Sequence, residues 1–411
     1  MLSDSNRNSK ETYMGNNKTV QVVGAGLSGM VAAINLAHAG YEVTVLEAEA
    51  RVGGSGLLHP SLHITPIDKA KVWQYVGVDL DDCFQTPEKF LTYLGTRRHS
   101  IFPQYFSMVE RGPRPTSVDT RLYELATRAG VEFRFSIRVE NLDELPPNTI
   151  IATGLDPGMF ETLGLPFRDI PSRHVFQPSV LDRYGLGIFS EYASEYFYAG
   201  AMNQIFYGML PLEDPPKLEC LSQLVKDLKQ WEGIDIPESL WRPVVFRVPL
   251  GGPRNLRLFH GDKILAGTIA GMMDPFFLFG IHGALVSGKI AALAVEDRDG
   301  AQMEFNRVNR YFHRTFRAKQ AYLRLPVKTK MSFFHAMTSR PYLFSPMIQI
   351  ISQGIPGHDD PDYFYRSFVG PDYQPPLPIR LAKAVMKNFA AALLGVRLEK
   401  RDQGANRRQD S

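Results

Sequence analysis

Residues 20–54, VQVVGAGLSGMVAAINLAHAGYEVTVLEAEARVGG, constrain the fold more tightly than any other stretch of the chain. A short, largely apolar run, Val20 to Val23, suits a buried strand. Gly24, Gly26 and Gly29 follow at the G-x-G-x-x-G spacing, and a helical stretch with Ala32, Ala33, Leu36 and Ala37 comes next. A second apolar run, Val43 to Leu46, ends in Glu47. Gly24 permits a tight strand-to-helix turn. Gly26 lets a pyrophosphate approach bare backbone, and Gly29 lets helix and strand pack closely. The helix start, with Leu27 and Ser28 as its first residues, offers free N–H groups and a positive dipole end to phosphates. Glu47 lies about 20 residues on, where a carboxylate can accept from ribose hydroxyls. Strand, turn, helix, strand and acid in this order predict a dinucleotide-binding βαβ unit.

The continuation narrows the dinucleotide. Glu47, Ala48, Arg51, Gly53 and Gly54 fall in the pattern E-x-x-x-R-x-G-G. This resembles the signature of FAD-binding flavoproteins of the glutathione-reductase-like superfamily, in which the arginine and glycine pair lie along the pyrophosphate and ribityl side. The resemblance implies FAD, held at Gly24, Gly26, Gly29, Glu47, Arg51 and Gly54. Two further stretches carry the same likeness. Residues 114–131 match R-x-x-x-x-D-x-x-L-x-x-x-A-x-x-x-G-V, with Asp119 as the expected helix N-cap and Gly130 as its stop. Ala152, Thr153 and Gly154 close a strand as an A-T-G landmark, where related backbones pass near FAD.

The last landmark spans residues 248–295. Lys263–Ala266 reads as a short strand, Gly267 and Gly271 bracket a turn, and Asp274-Pro275 opens a loop. Gly280 and Ile281 then lead into an alanine-rich helix. This resembles the C-terminal FAD motif of geranylgeranyl-reductase-like flavoproteins, whose helix aims its N-terminus at the flavin N1–C2 carbonyl. Such a dipole stabilises negative charge on the reduced ring. Thr268 stands where the family carries an aspartate that bonds a ribityl hydroxyl, so the resemblance implies FAD binding with altered geometry.

Together these readings predict an α/β chain: a Rossmann-like FAD-binding domain, an interleaved mixed-sheet substrate domain and a helical C-terminal region. The FAD domain is expected over 18–56, 111–164 and 251–300, and the substrate domain over 57–110 and 165–250. The helical region is expected over 301–401, with polar tails at 1–17 and 402–411. Residues 165–250 are strongly aromatic, with Tyr192, Tyr196, Phe197, Tyr198, Phe206 and Tyr207. They suit either a sheet core or a cradle for a hydrophobic small-molecule substrate.

Composition limits the other classes. A formal net charge of +3 over 411 residues argues against general nucleic-acid binding. Two cysteines, Cys83 and Cys220, without a C-x-x-C, argue against a disulfide framework, a redox dithiol or a cysteine-based metal site, and no metal is expected. The N-terminal residues lack an apolar core of the signal-peptide kind, and no run is long enough to span a bilayer. The cytoplasm, including its membrane surface, is the expected location. In residues 378–401 Leu381, Val385, Phe389 and Leu393 step at helical spacing, with Arg380, Lys383 and Lys387 on the other side. This suits a basic amphipathic helix, lying on an anionic membrane surface or packed on the domain with a solvated basic face.

The flavin supplies the redox chemistry and the chain supplies orientation, electrostatics and exclusion of water. His282, at the start of the expected flavin-facing helix, is the leading candidate for an acid or base. His59 and His63 follow the glycine pair and come next, while Asp274 reads as a turn residue. Three activities fit. The first is a reductase or dehydrogenase acting on carbon–carbon bonds of a prenyl- or acyl-like substrate, with NAD(P)H or another electron donor. The second is an aromatic monooxygenase of the p-hydroxybenzoate-hydroxylase type, although ATGLDPG stands where that class carries a D-G motif. The third is a flavin-bound escort of prenylated proteins. The W-x-W-x-I-P motif of halogenases is absent from the sequence.

Overall fold

A computed structural model describes residues 18–54, 56, 58–217, 219–339, 354–357, 366–367, 369–372 and 385. The first part of the chain runs β1 (Thr19–Val23), α1 (Leu27–His38), β2 (Glu42–Leu46), β3 (Ser61–Thr65), α2 (Lys69–Val76), β4 (Phe84–Gln85), β5 (Lys89–Leu94), β6 (Arg97–Ile101) and β7 (Ser107–Arg111). It continues through α3 (Val118–Arg128), β8 (Glu132–Arg134), β9 (Ile150–Ile151), α4 (Pro157–Thr162), β10 (Phe167–Pro178), β11 (Tyr184–Phe189), β12 (Phe197–Met202) and β13 (Ile205–Pro211). The remainder is α5 (Glu219–Glu232), β14 (Arg242–Pro249), β15 (Phe259–His260), β16 (Lys263–Leu265), α6 (Ile281–Glu296), α7 (Arg298–Leu323) and α8 (Val327–Ser339).

Three sheets organise these elements. The first has the order β15-β16-β9-β1-β2-β8, parallel throughout except for β15. Helices α1 and α6 pack on it and on each other. Both are buried on nearly every side, which explains why their sequences are apolar and small rather than striped. Gly288 permits this contact, because a Cβ there would lie 2.5 Å from the Ser28 carbonyl oxygen.

The second sheet has the order β14-β10-β13-β12-β11-β5-β6, antiparallel except where β11 meets β5. Strand alternation divides its residues between two cores. Phe206 and Leu210 of β13 and Phe197 and Ala199 of β12 pack under α5 with Leu224 and Leu228. Ile205, Tyr207 and Met209 of β13, Met202 of β12, Ile170 of β10 and Val248 of β14 form the opposite face. The third sheet, β3-β7-β4, lies against that second face, where Leu62 and Met108 join the same core.

The expected helix over 114–130 forms, but its cap differs. Ser117 is the N-cap and accepts from the Thr120 amide at 3.2 Å, while Asp119 sits in the first turn. Asp119 is fully buried and is taken up by an ion pair with Arg111. That partner, from the end of the preceding strand, takes the carboxylate away from the capping role. The helix at Lys69 is capped by Asp68, and the helix at Leu221–Trp231 extends over Glu219–Glu232. The polar tails and the basic stretch 378–401, Val385 apart, lie outside the described residues. Of the helical C-terminal region, α7 and α8 are described. No helix among the described residues is long and apolar enough to cross a membrane.

Candidate functional site

The site begins where β1 turns into α1. Gly24 has φ +104°, and a Cβ there would lie 2.5 Å from the Ala152 carbonyl oxygen. A Cβ at Gly29 would lie 2.0 Å from the Gly24 carbonyl oxygen. These two glycines are consumed by packing. Gly26, the N-cap of α1, is different, because nothing lies within 4 Å of a Cβ built on it. Space is therefore open beside the first amides of α1, where the sequence expects a pyrophosphate. Leu27 and Ser28 bury their side chains and offer only backbone to that space.

Glu47 ends β2 and stands beside the turn. Its carboxylate accepts from the Ala25 amide at 2.7 Å and the Glu49 amide at 2.9 Å. It is thereby oriented at the edge of the glycine turn, with Ala48 half-buried next to it and Arg51 exposed. Gly53 packs tightly, its virtual Cβ 2.5 Å from the Gly112 carbonyl carbon, whereas Gly54 is exposed and has φ +69°.

The remaining landmarks converge on the same side. Ala152 donates its amide to the Val23 carbonyl at 2.8 Å, which aligns β9 with β1. Thr153 follows with its hydroxyl oxygen buried and without a hydrogen-bond partner. Nothing lies within 4 Å of a Cβ on Gly154. Gly267 packs on Ser28 and donates its amide to the Ser287 hydroxyl at 2.7 Å, and Thr268 keeps partial exposure. Gly280 caps α6, with Ile281 buried as its first residue. No side chain caps the start of α6 and no acidic residue occupies its first turn, so its dipole end is not neutralised locally. Open space at Gly26 and Gly154 and an unsatisfied Thr153 hydroxyl fit a bound dinucleotide.

His282 is placed differently from the expectation. It is buried, and its Nε2 pairs with the Pro356 carbonyl. That bond uses the ring to fasten the 354–357 segment to α6. Asp274 behaves as a loop organiser: it accepts from the Phe276 amide at 2.9 Å, the Phe277 amide at 2.7 Å and the Tyr311 hydroxyl at 2.9 Å. Burial pushes its carboxyl above the ordinary aspartate value against those bonds. Glu195 bridges Arg168 and Lys319, tying β10 to α7.

His59, the other candidate, is brought into a hydrogen-bonded row. Its Nδ1 lies 2.8 Å from the Ser61 hydroxyl, which lies 3.0 Å from His63 Nε2. The row stands beside Arg111, whose guanidinium donates two bonds to Asp119 at 2.7 and 2.8 Å. The Gly112 amide gives Asp119 a third at 2.9 Å. Burial opposes ionisation of Asp119, but the Arg111 charge and these bonds outweigh it and hold its carboxyl below the ordinary value. Burial, assisted by Arg111, lowers His59 to about 4. Burial, then Arg111 and His59, lowers His63 to about 3. Both imidazoles are therefore neutral near pH 7. Ser61 and the clamp were not singled out in the sequence. The available signal was the alternation His59-x-Ser61-x-His63, which a strand places on one side.

Across from the row, Tyr198 and Tyr207 stand 5.9 Å apart by ring centroid, and His63 stands 6.2 Å from Tyr198. The Tyr207 hydroxyl is buried beside the Tyr198 phenol and makes no hydrogen bond of normal geometry. Leu58, Leu155, Met273 and Leu278, from the loops that follow the glycine pair, the A-T-G strand end and the Gly267–Gly271 turn, pack against the core that contains Tyr207. The apolar face of the seven-stranded sheet thus meets the cofactor side of the first domain. A surface cleft of about 560 Å³ lined by His38, Asp81 and Arg121 lies at the far end of α1 and shares none of these residues. Among the described residues no cluster suits a metal ion. Cys83 and Cys220 are free thiols, and burial raises Cys83 to about 12, far from a reactive thiolate.

Comparison with known proteins agrees with this geometry. The family model of an NAD(P)-binding Rossmann-like domain matches residues 22–57. The L-amino-acid oxidase of Sistrurus catenatus edwardsii is 60% identical over 43 residues, 10% of this chain and 8% of that protein. The likeness to these oxidases is thus confined to one short stretch. Similar folds extend much further. A tetrameric form of 2-methyl-3-hydroxypyridine-5-carboxylic acid oxygenase superposes with a TM-score of 0.56 at 14% identity, over 83% of this chain and 96% of that one. A tryptophan halogenase from Shewanella frigidimarina gives 0.56 at 12% identity, over 92% and 94%. The chain shares the fold of this oxygenase and this halogenase over most of its length, with a Rossmann-like dinucleotide-binding unit at its N-terminal end.

Proposed function

We propose that this protein is an FAD-dependent monooxygenase acting on a hydrophobic, ring-containing substrate seated between the cofactor loops and the seven-stranded sheet. The observation that carries the reading is the buried Tyr207 hydroxyl, which has the Tyr198 phenol beside it and makes no hydrogen bond of normal geometry, within a face of Met202, Met209, Ile170 and Leu62. A buried hydroxyl without a partner costs about 1–3 kcal/mol. It is retained at little cost where a ligand's polar atom completes it, and the surrounding apolar side chains select a ligand that is otherwise greasy. FAD, reduced by NAD(P)H or another donor, supplies two-electron chemistry and, with O2, oxygen insertion. The chain's own part is to bind the substrate, orient it through Tyr207 and keep bulk water away.

This reading prefers oxygenation to carbon–carbon reduction, because oxygenases and halogenases share the fold over most of the chain. The test supplies the FAD-loaded protein with NAD(P)H, isotopically labelled O2 and a panel of phenols, indoles and prenyl or acyl lipids. The expected product carries one labelled oxygen. A product altered by two hydrogens and formed equally without O2 overturns the proposal in favour of a reductase. A flavin that turns over with none of the panel points to the escort reading. Tyr207→Phe is expected to lower kcat/KM about tenfold, equivalent to about 1.4 kcal/mol, while leaving the melting temperature unchanged or higher.

A further inference from the structure

We propose that His59, Ser61 and His63 form a proton relay between the cofactor side of the site and the tyrosine-bearing sheet face. The inference rests on the site described above and deepens it. Strand β3 carries the row. Leu62 and Ile64 pack on the seven-stranded sheet, against Gly200 and Gly185. Ser61 and His63 stand on the other side of the strand, and His59 continues their spacing into the preceding loop. At one end, the Cδ2 and Nε2 edge of His59 faces Gly54, with 2.8 and 3.1 Å to a virtual Cβ there. At the other end, His63 lies beside Tyr198, which neighbours Tyr207.

The chemistry of three neutral groups restricts how the row can be wired. Each neutral imidazole has one N–H and one lone pair, and Ser61 has a single O–H. Ser61 can therefore donate to one ring while accepting from the other. In one arrangement His63 Nε2–H donates to Ser61, and Ser61 donates to His59 Nδ1, which leaves the proton of His59 on Nε2. When His59 Nε2 gives up that proton towards the cofactor side, the Ser61 proton moves to His59 Nδ1. The His63 Nε2 proton then moves to Ser61, and His63 Nδ1 takes up a proton from a solvent or buffer acid reaching the tyrosine side, so that one bulk proton enters for each one delivered. One N–H or O–H bond breaks and one forms at each centre, and no charge is left behind. Running the sequence backwards restores the first arrangement.

The charged and titratable groups around the row suit this role. Arg111 and Asp119 pair with each other in a bidentate contact and act in opposite directions on the rings, with Arg111 the stronger, so the net field disfavours a charged imidazole. Burial keeps Tyr198 and Tyr207 protonated, with both phenols raised well above the ordinary value. The low values of His59 and His63 favour passage of a proton over its storage on a ring.

Two measurements on the FAD-loaded full chain test the proposal, and neither needs the substrate. First, side-chain 15N NMR of histidine is expected to show His59 and His63 neutral at pH 7. Their N–H groups should lie on complementary nitrogens, and Ser61→Ala should erase that complementarity. Second, flavin reduction by dithionite in weak buffer with a pH indicator reports electron arrival and proton uptake separately. Ser61→Ala is expected to slow proton uptake at least tenfold relative to reduction, with FAD content and visible spectrum unchanged. Ser61→Thr, which keeps the hydroxyl, is expected to restore it. If Ser61→Ala does not fold, His63→Asn carries the same test. Proton uptake that keeps pace with reduction in these variants overturns the relay, as does an imidazolium at either position at pH 7. Failure to find an oxygenated product leaves both readouts intact, so the two proposals fail separately.

Discussion

The cofactor cradle and the sheet face opposite it are built in different ways. The cradle is local: β1, its glycine turn, α1 and β2 lie within residues 19–46, and Glu47 closes back onto the Ala25 amide. Its tight contacts are backbone on backbone, as at Gly24 against Ala152 and Gly29 against Gly24. The sheet face is assembled from far apart. Leu62, Met108, Ile170, Tyr207 and Val248 meet only once β3, β7, β10, β13 and β14 have paired. A motif can specify the first kind of site, because steric rules act on neighbouring residues. The second kind follows from strand register, and register is set by the whole fold.

Substitutions can break this contrast at its sharpest point. Gly29→Ala is expected to have the largest effect, on the order of 3 kcal/mol, because its Cβ would overlap the Gly24 carbonyl. The purified protein should lose bound FAD and melt at lower temperature. Gly26→Ala should separate binding from folding: stability stays within about 1 kcal/mol, while FAD affinity measured by fluorescence titration falls at least tenfold. Equal stability losses at the two glycines would show that Gly26 serves packing as well.

The clamp that joins the two regions comes next. Arg111→Ala leaves Asp119 buried with only the Gly112 amide, which is expected to cost up to about 3 kcal/mol in chemical denaturation. Because Arg111 holds the Asp119 carboxyl low, its removal should raise that pKa. The variant should then recover part of the loss as the pH is lowered and Asp119 takes up a proton. A loss independent of pH would mean that Arg111 acts through packing alone.

The smallest expected effect is the pH dependence of the histidine row. His59 is lowered to about 4 and His63 to about 3, whereas both titrate near 6.5 in the unfolded chain. Below pH 6.5 the unfolded state therefore binds more protons than the folded state. This contribution to stability is fully present above about 6.5 and is lost as the pH falls towards those lower values. Between pH 6.5 and 5.5 the loss is expected to be about 1 kcal/mol per ring. Urea unfolding at several pH values should show a shallower slope in a His59→Asn, His63→Asn double variant.

The molecule was legible in the sequence where local steric rules govern. The βαβ unit, the A-T-G strand end, the Gly267–Gly271 turn and the helix start at Gly280 all fall where their residues predict. Legibility stopped where two distant groups compete for one residue. Asp119 has the position and chemistry of an N-cap, yet Arg111 claims it and Ser117 caps instead. His282 heads the right helix, but the Pro356 carbonyl, 74 residues away, takes its ring. The row from His59 to His63 was half visible, since alternation placed the residues together without revealing that their free edges reach Gly54 and Tyr198.

The sequence by itself therefore determined the dinucleotide-binding βαβ unit and the layered α/β architecture, because a Gly-rich turn, a helix start and an acid act on a dinucleotide through backbone geometry that neighbouring residues dictate. Only the tertiary structure decided which polar groups are left over to act. Burial, the nearby charge of Arg111 and the register of β3 against β7 hold His59 and His63 neutral, and packing around β13 leaves the Tyr207 hydroxyl without a hydrogen bond of normal geometry. Those outcomes depend on the dielectric surroundings and on distances between residues far apart in the chain, which no local pattern encodes.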